Sequence, residues 1–147
     1  MPRFAHLLAA AALVLAMAAA ETARAEPDDS IPTSVSDRIV AELARADLDA
    51  VARESSKYMG PNIADRLKNS FASINDLGKS QYIDLVYSRD YGKFEKDMIY
   101  KIDFNKAFAY VRFLWHVDNG EWRLIHLGYK TEADLPFPSG WEHIYPK

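Results

Sequence analysis

The feature that most constrains this chain is a change of period at Gly78. Before it, apolar residues recur about every four positions: Val35, Ile39 and Leu43, then Leu48, Val51, Ala52 and Tyr58, then Ile63, Leu67, Phe71 and Ile74. Such spacing stacks side chains along one face of a helix. After Gly78 the segments 81–91, 96–104, 107–117 and 121–130 alternate with period two and are rich in β-branched and aromatic residues, with short turn signals between them. Helices first and strands afterwards predict an α+β domain with an antiparallel sheet.

Local signals punctuate the elements. Ser34, with Asp37 three residues on, can cap a first helix, and Asp47 a second that Gly60-Pro61 stops. Asn62 can start a third helix, with Gly78 as its exit. Asn119-Gly120 reads as a two-residue hairpin loop, which sets Val117 opposite Trp122, Trp115 opposite Leu124 and Phe113 opposite His126. Asn105-Lys106 as the preceding loop sets Phe104 opposite Ala107, Ile102 opposite Ala109, Tyr100 opposite Val111 and Met98 opposite Phe113. Both turns place the same apolar set on one face, and a one-residue slip would invert a strand, so the two readings support each other.

The opposite face carries Lys101, Asp103, Arg112, His116 and Arg123, but also Ile99, Phe108, Tyr110, Leu114, Ile125, Leu127 and Tyr129. A solvated face would be more polar, so a covering surface is expected. Two candidates are a homodimer through Tyr110, Leu114, Ile125, Leu127 and Tyr129, and the extended Pro- and aromatic-rich C-terminal segment 131–147.

The first 25 residues read differently. Arg3 precedes an apolar run from Leu7 to Ala20, and Ala23-Arg24-Ala25 supplies a small-x-small cleavage pattern, the layout of a secretory signal peptide cut before Glu26. The run falls short of the roughly 20 residues needed to span a bilayer, so no stable membrane anchor is expected after cleavage. The expected compartment is the periplasm or the exterior. Residues 26–33, polar and with two prolines, read as a disordered lead-in to a domain over residues 34–130. Loss of Arg3, Arg24 and Glu21 moves the formal net charge from −3 to −4, which offers no electrostatic footing for nucleic acid. With no cysteine, the core must hold the fold without disulfides, and thiol chemistry is excluded.

The segment "VAELARADLDAVARESSKYM", with its acidic break between two short helices, and the closing "GEWRLIHLGY" strand resemble the nuclear transport factor 2-like superfamily over about residues 34–130. They are most similar to its small exported bacterial members. The resemblance implies a cone in which three N-terminal helices wrap the concave face of a curved four-stranded antiparallel sheet, sometimes leaving a pocket. It also implies dimers through the outer sheet face. The superfamily contains isomerases, dehydratases and non-catalytic binding domains, so the fold does not select among them.

Strand alternation puts His116 and His126 on opposite faces, which prevents them from sharing a metal ion, and His143 adds no arranged ligand set. No metal or cofactor is expected. His126 instead falls among aromatic residues on the concave face, with Tyr58, Tyr100 and Trp122, as a pocket for a small apolar or aromatic ligand. The leading expectation is thus an exported binding or interaction module. An alternative is a small lyase or isomerase with His126 as base and Tyr100 as hydrogen-bond donor. It suffers because the sheet acids, Asp84 included, are placed outward: Asp84 alternates against Ile83, Leu85 and Tyr87. A third reading is a partner-binding or inhibitory domain, favoured by a solid core and an exposed aromatic surface.

Overall fold

The structure is a computed structural model that describes residues 26–131. Three α-helices come first: α1 Ser30–Ala44, α2 Leu48–Met59 and α3 Ala64–Phe71, the last flanked by 3₁₀ turns at Pro61–Ile63 and Ala72–Leu77. Four strands follow, β1 Ser80–Asp90, β2 Glu95–Phe104, β3 Phe108–Asp118 and β4 Glu121–Lys130. They form an open antiparallel sheet in the order β1-β2-β3-β4. The α+β architecture expected from the period change is the one observed. Among the described residues no helix is long and apolar enough to cross a membrane.

The helix ends follow from particular side chains. Asp47 accepts a hydrogen bond from the Ala50 backbone N–H at 2.9 Å, as an N-cap should. The first helix begins earlier than Ser34: Ser30–Thr33, read as lead-in, are helical. Asp28 accepts from the backbone N–H and hydroxyl of Ser30 at 3.0 and 2.7 Å, and Pro32 lies in the first turn, where a missing N–H has no cost. Ser34 donates back to the Ile31 carbonyl at 3.2 Å, so the Ser34–Asp37 capping box does not form. Residues 1–25 and 132–147, which hold the signal-peptide expectation, His143 and nearly all of the C-terminal segment, lie outside the described residues.

Gly78 fixes where helices give way to strands. Its φ is +92°, and an added Cβ would sit 1.9 Å from Asn105 Oδ1. That oxygen accepts from the Lys79 N–H at 3.0 Å, while Asn105 N–H donates to the Lys79 carbonyl at 2.9 Å and Lys106 N–H to the Leu77 carbonyl at 3.2 Å. The end of the helical layer is thereby tied to the β2–β3 turn.

The expected β2–β3 register is found, with Ile102 opposite Ala109, Tyr100 opposite Val111 and Met98 opposite Phe113. The β3–β4 register begins as expected, with Val117 opposite Trp122 and Trp115 opposite Leu124. Then it slips: Leu114 pairs with His126 and Phe113 with Leu127, which leaves Ile125 as an extra residue. A β-bulge of this kind advances one strand past its partner, so later residues change face. His126 therefore joins the outer face, away from the helices, and Leu127 and Tyr129 turn inward. β1 slips twice against β2, between Ser80 and Tyr82 and between Leu85 and Tyr87; the latter sends Tyr87 outward beside Ile99, while Asp84 faces outward opposite Lys101, as expected.

The core lies between helices and sheet. Val35, Ile39 and Leu43 of α1, Val51 of α2, and Leu67, Phe71 and Ile74 meet Met98, Tyr100, Ile102, Phe113, Trp115 and Leu124. Trp115 is fully buried and its indole N–H donates to Ser36 Oγ at 3.0 Å, so a serine on the buried stripe of α1 is explained.

Candidate functional site

The four residues read as a pocket are not brought together. Tyr100 is buried in the core at 2 % exposure, its ring edge-on to Phe113 with centroids 5.5 Å apart. Its hydroxyl donates to Asp37 Oδ1 at 2.7 Å. Burial, and then that carboxylate, push the phenol far above the ordinary tyrosine range, so it stays neutral and engaged. His126 lies on the far side of the sheet, where its ring rests over Gly128: a Cβ there would be 3.1 Å from Nε2. Partial desolvation, and then the nearby Arg112 guanidinium, lower its pKa. Tyr100 and His126 sit on opposite faces, so the donor–base pair of the lyase reading cannot act on one substrate.

The bulge also corrects the histidine geometry. His116 and His126 both occupy the outer face, because His116 pairs with Arg123 and His126 with Leu114. They have different neighbours. His116 Nδ1 lies 3.9 Å from Glu95 Oε2. Among the described residues no three His, Cys, Asp or Glu side chains gather in a metal-binding group.

Of the outer-face quintet, Tyr110, Leu114 and Ile125 keep that position, and Leu127 and Tyr129 do not. Leu127 is in the core, and Tyr129 stacks on Phe71 with centroids 4.9 Å apart and shares a 2.5 Å hydrogen bond with Ser73 Oγ. A polar pair missed in the sequence lies at the centre of this face. Asp97 is 1 % exposed and receives two bonds from Arg112, Nε at 3.0 Å and Nη2 at 2.8 Å. Cross-strand diagonal spacing on β2 and β3 was the available signal, but it required the register first.

Tyr58 and Trp122 do share a site, at the open end of the two layers. With Pro27, Ile31, Lys57 and the β3–β4 turn they line a cleft of about 300 Å³. Tyr58 reaches it while standing edge-on to Trp115, centroids 5.3 Å apart. Trp122 is 6 % exposed, and its indole nitrogen is buried with no hydrogen-bond partner. The Ser55 hydroxyl, on the buried face of α2, is likewise unpartnered. A buried donor left unpaired costs about 1–3 kcal/mol. The cleft can hold a small molecule by apolar contact with Tyr58, Ile31 and Pro27. Its lining also includes the charged residues Asp28, Lys57, Glu121 and Arg123.

No protein-family model matches this chain, and comparison with curated proteins finds no match.

Proposed function

We propose that this domain is an exported, non-catalytic binding module whose ligand occupies the cleft at Tyr58 and Trp122. The ligand is a small molecule with an apolar or aromatic body and one hydrogen-bond acceptor. The observation that carries the reading is a cleft of about 300 Å³ lined by Tyr58 and by Trp122, whose buried indole nitrogen has no hydrogen-bond partner. Pockets of this size suit small ligands held mainly by apolar contact, with a few polar groups setting orientation. The layout of three helices on a four-stranded antiparallel sheet is compatible with a nuclear transport factor 2-like cone, which supports a site between the layers. Export rests on the charge, apolar run and cleavage pattern of residues 1–25.

The test is a nitrogen–proton NMR titration of the mature chain with phenylacetate and phenylacetamide as probes. The Trp122 indole cross-peak, assigned by its loss in Trp122→Phe, is expected to move saturably at millimolar probe. The Trp115 peak, whose proton is already bonded to Ser36, is expected to stay. Immobile indole peaks, or identical amide shifts in Trp122→Phe, would refute the site.

A further inference from the structure

Strand β1 is an open edge of the sheet, 11 residues long, and its surroundings are apolar. Of the six exposed large hydrophobic residues among those described, five lie on β1 or in the turn after it: Tyr82, Ile83, Leu85, Tyr91 and Phe94. Ile83 and Leu85 point to the helical side yet remain 41 % and 47 % exposed, so the helical layer stops short of them. Unpaired backbone groups flanked by exposed apolar side chains invite another strand.

The bulge at Val86 decides which strand fits. Before Val86 the outer face is held by Tyr82 and Asp84, opposite Asp103 and Lys101, and the inner face by Ile83 and Leu85, opposite Ile102 and Tyr100. After it the parity changes: Tyr87 and Arg89 are outer, opposite Ile99 and Asp97, while Ser88 and Asp90 are inner, opposite Met98 and Lys96. Val86 itself packs with the outer-face residues Tyr87, Ile99 and Tyr110. Two copies of β1 paired antiparallel about a two-fold axis must set outer residues opposite outer and inner opposite inner. One register does so from Ile83 to Asp90, with Val86 opposite Tyr87 of the second copy; the other irregularity of β1, between Ser80 and Tyr82, lies beyond the paired span. A shift by one residue mismatches every pair that spans the bulge, and a shift by two mismatches the pair on the axis.

In that single register Asp84 faces Arg89 of the second copy, and the symmetry repeats the pair. Leu85 faces Ser88 of the second copy, and Tyr82 falls opposite Tyr91 of the second copy. A bulge ordinarily twists an edge away from pairing. Here the Val86 bulges of the two copies meet on the axis, which leaves an undisturbed ladder on either side. We propose that β1 is the interface of a homodimer, pairing edge to edge in this register with reciprocal Asp84–Arg89 contacts. This is independent of the cleft, which lies at the β3–β4 turn.

The test uses the mature chain and two single charge reversals, Asp84→Arg and Arg89→Asp, both at exposed positions, with circular dichroism to show that each variant folds. Sedimentation from micromolar to near-millimolar concentration is expected to show a dimer for the parent chain. Each single variant is expected to associate on the order of tenfold more weakly or worse, because two attractive pairs become two repulsive ones. A mixture of the two variants, in which every pair is again opposite in charge, is expected to recover a heterodimer of parental affinity. A parent that stays monomeric overturns the proposal. So does a dimer indifferent to both reversals but broken by Leu114→Asp, which would place the interface on the outer face, or a mixture no tighter than its components.

Discussion

Tyr100 and Asp37 join the sheet to α1 through one hydrogen bond of 2.7 Å, from a buried phenol to a carboxylate on the first helix. Neither residue serves the role its sequence position suggested. Asp37 is not part of a capping box, and Tyr100 is not free to meet a ligand.

Removing this bond with Tyr100→Phe should cost about 1 kcal/mol, below the 1.5–3 kcal/mol range for bonds to charged groups, since the exposed Asp37 carboxylate regains water. The pH dependence has a definite sign. The folded-state pKa of Tyr100 is raised above its unfolded value, so its contribution is complete below about pH 10 and is lost as pH rises beyond. Urea unfolding across the alkaline range should show this decline in the parent and a shallower one in Tyr100→Phe.

Arg112→Leu should be among the most damaging single changes, at about 3 kcal/mol, because it leaves the Asp97 carboxylate buried at 1 % exposure without its partner. Arg112→Leu combined with Asp97→Leu should recover most of that loss. Denaturation of the four members of this cycle measures the coupling. A double variant as unstable as the single would show that the pair does more than satisfy itself.

His126 should titrate below the ordinary histidine value of about 6.5, and Arg112→Gln should move it back up. A depressed folded-state pKa makes stability complete above about pH 6.5, with loss as pH falls through the folded value. His126→Gln should flatten that acid limb. Proton NMR of the imidazole and urea melts on either side of the transition check the two halves.

Deletion of Ile125 should leave a cooperative fold. Leu124 and His126 already pair with the adjacent residues Trp115 and Leu114, so excising Ile125 restores a regular ladder and leaves every later side chain on its present face. Deletion of Ile102, in the regular β2–β3 ladder, should instead invert part of β2 and abolish cooperative unfolding. Thermal melts of the two deletions separate these outcomes.

Much of the fold was legible because it rests on strong local signals. The change of period at Gly78, the Asp47 cap and the Asn119-Gly120 turn, whose φ values are +54° and +85°, each require little tertiary context. The register from Val117 to Trp115 followed from that turn. The site was less legible because alternation assumes an unbroken ladder. One extra residue at Ile125 moved His126, Leu127 and Tyr129 to the faces opposite those expected, and nothing in "RLIHLGY" marks it, since Leu124, Ile125 and Leu127 suit either face. Tyr58 and Trp122 line one cleft because the slip comes after Trp122 and does not touch α2.

The tie between Gly78 and Asn105 has a mechanical consequence. Helical layer and sheet are fastened at the β2–β3 end, whereas the β3–β4 turn, at the other end of an antiparallel sheet, carries the cleft. The layers are fastened a second time near the cleft, where Trp115 bonds Ser36 and packs edge-on to Tyr58. Braced at both ends, helices and sheet cannot slide past one another without breaking one of these ties.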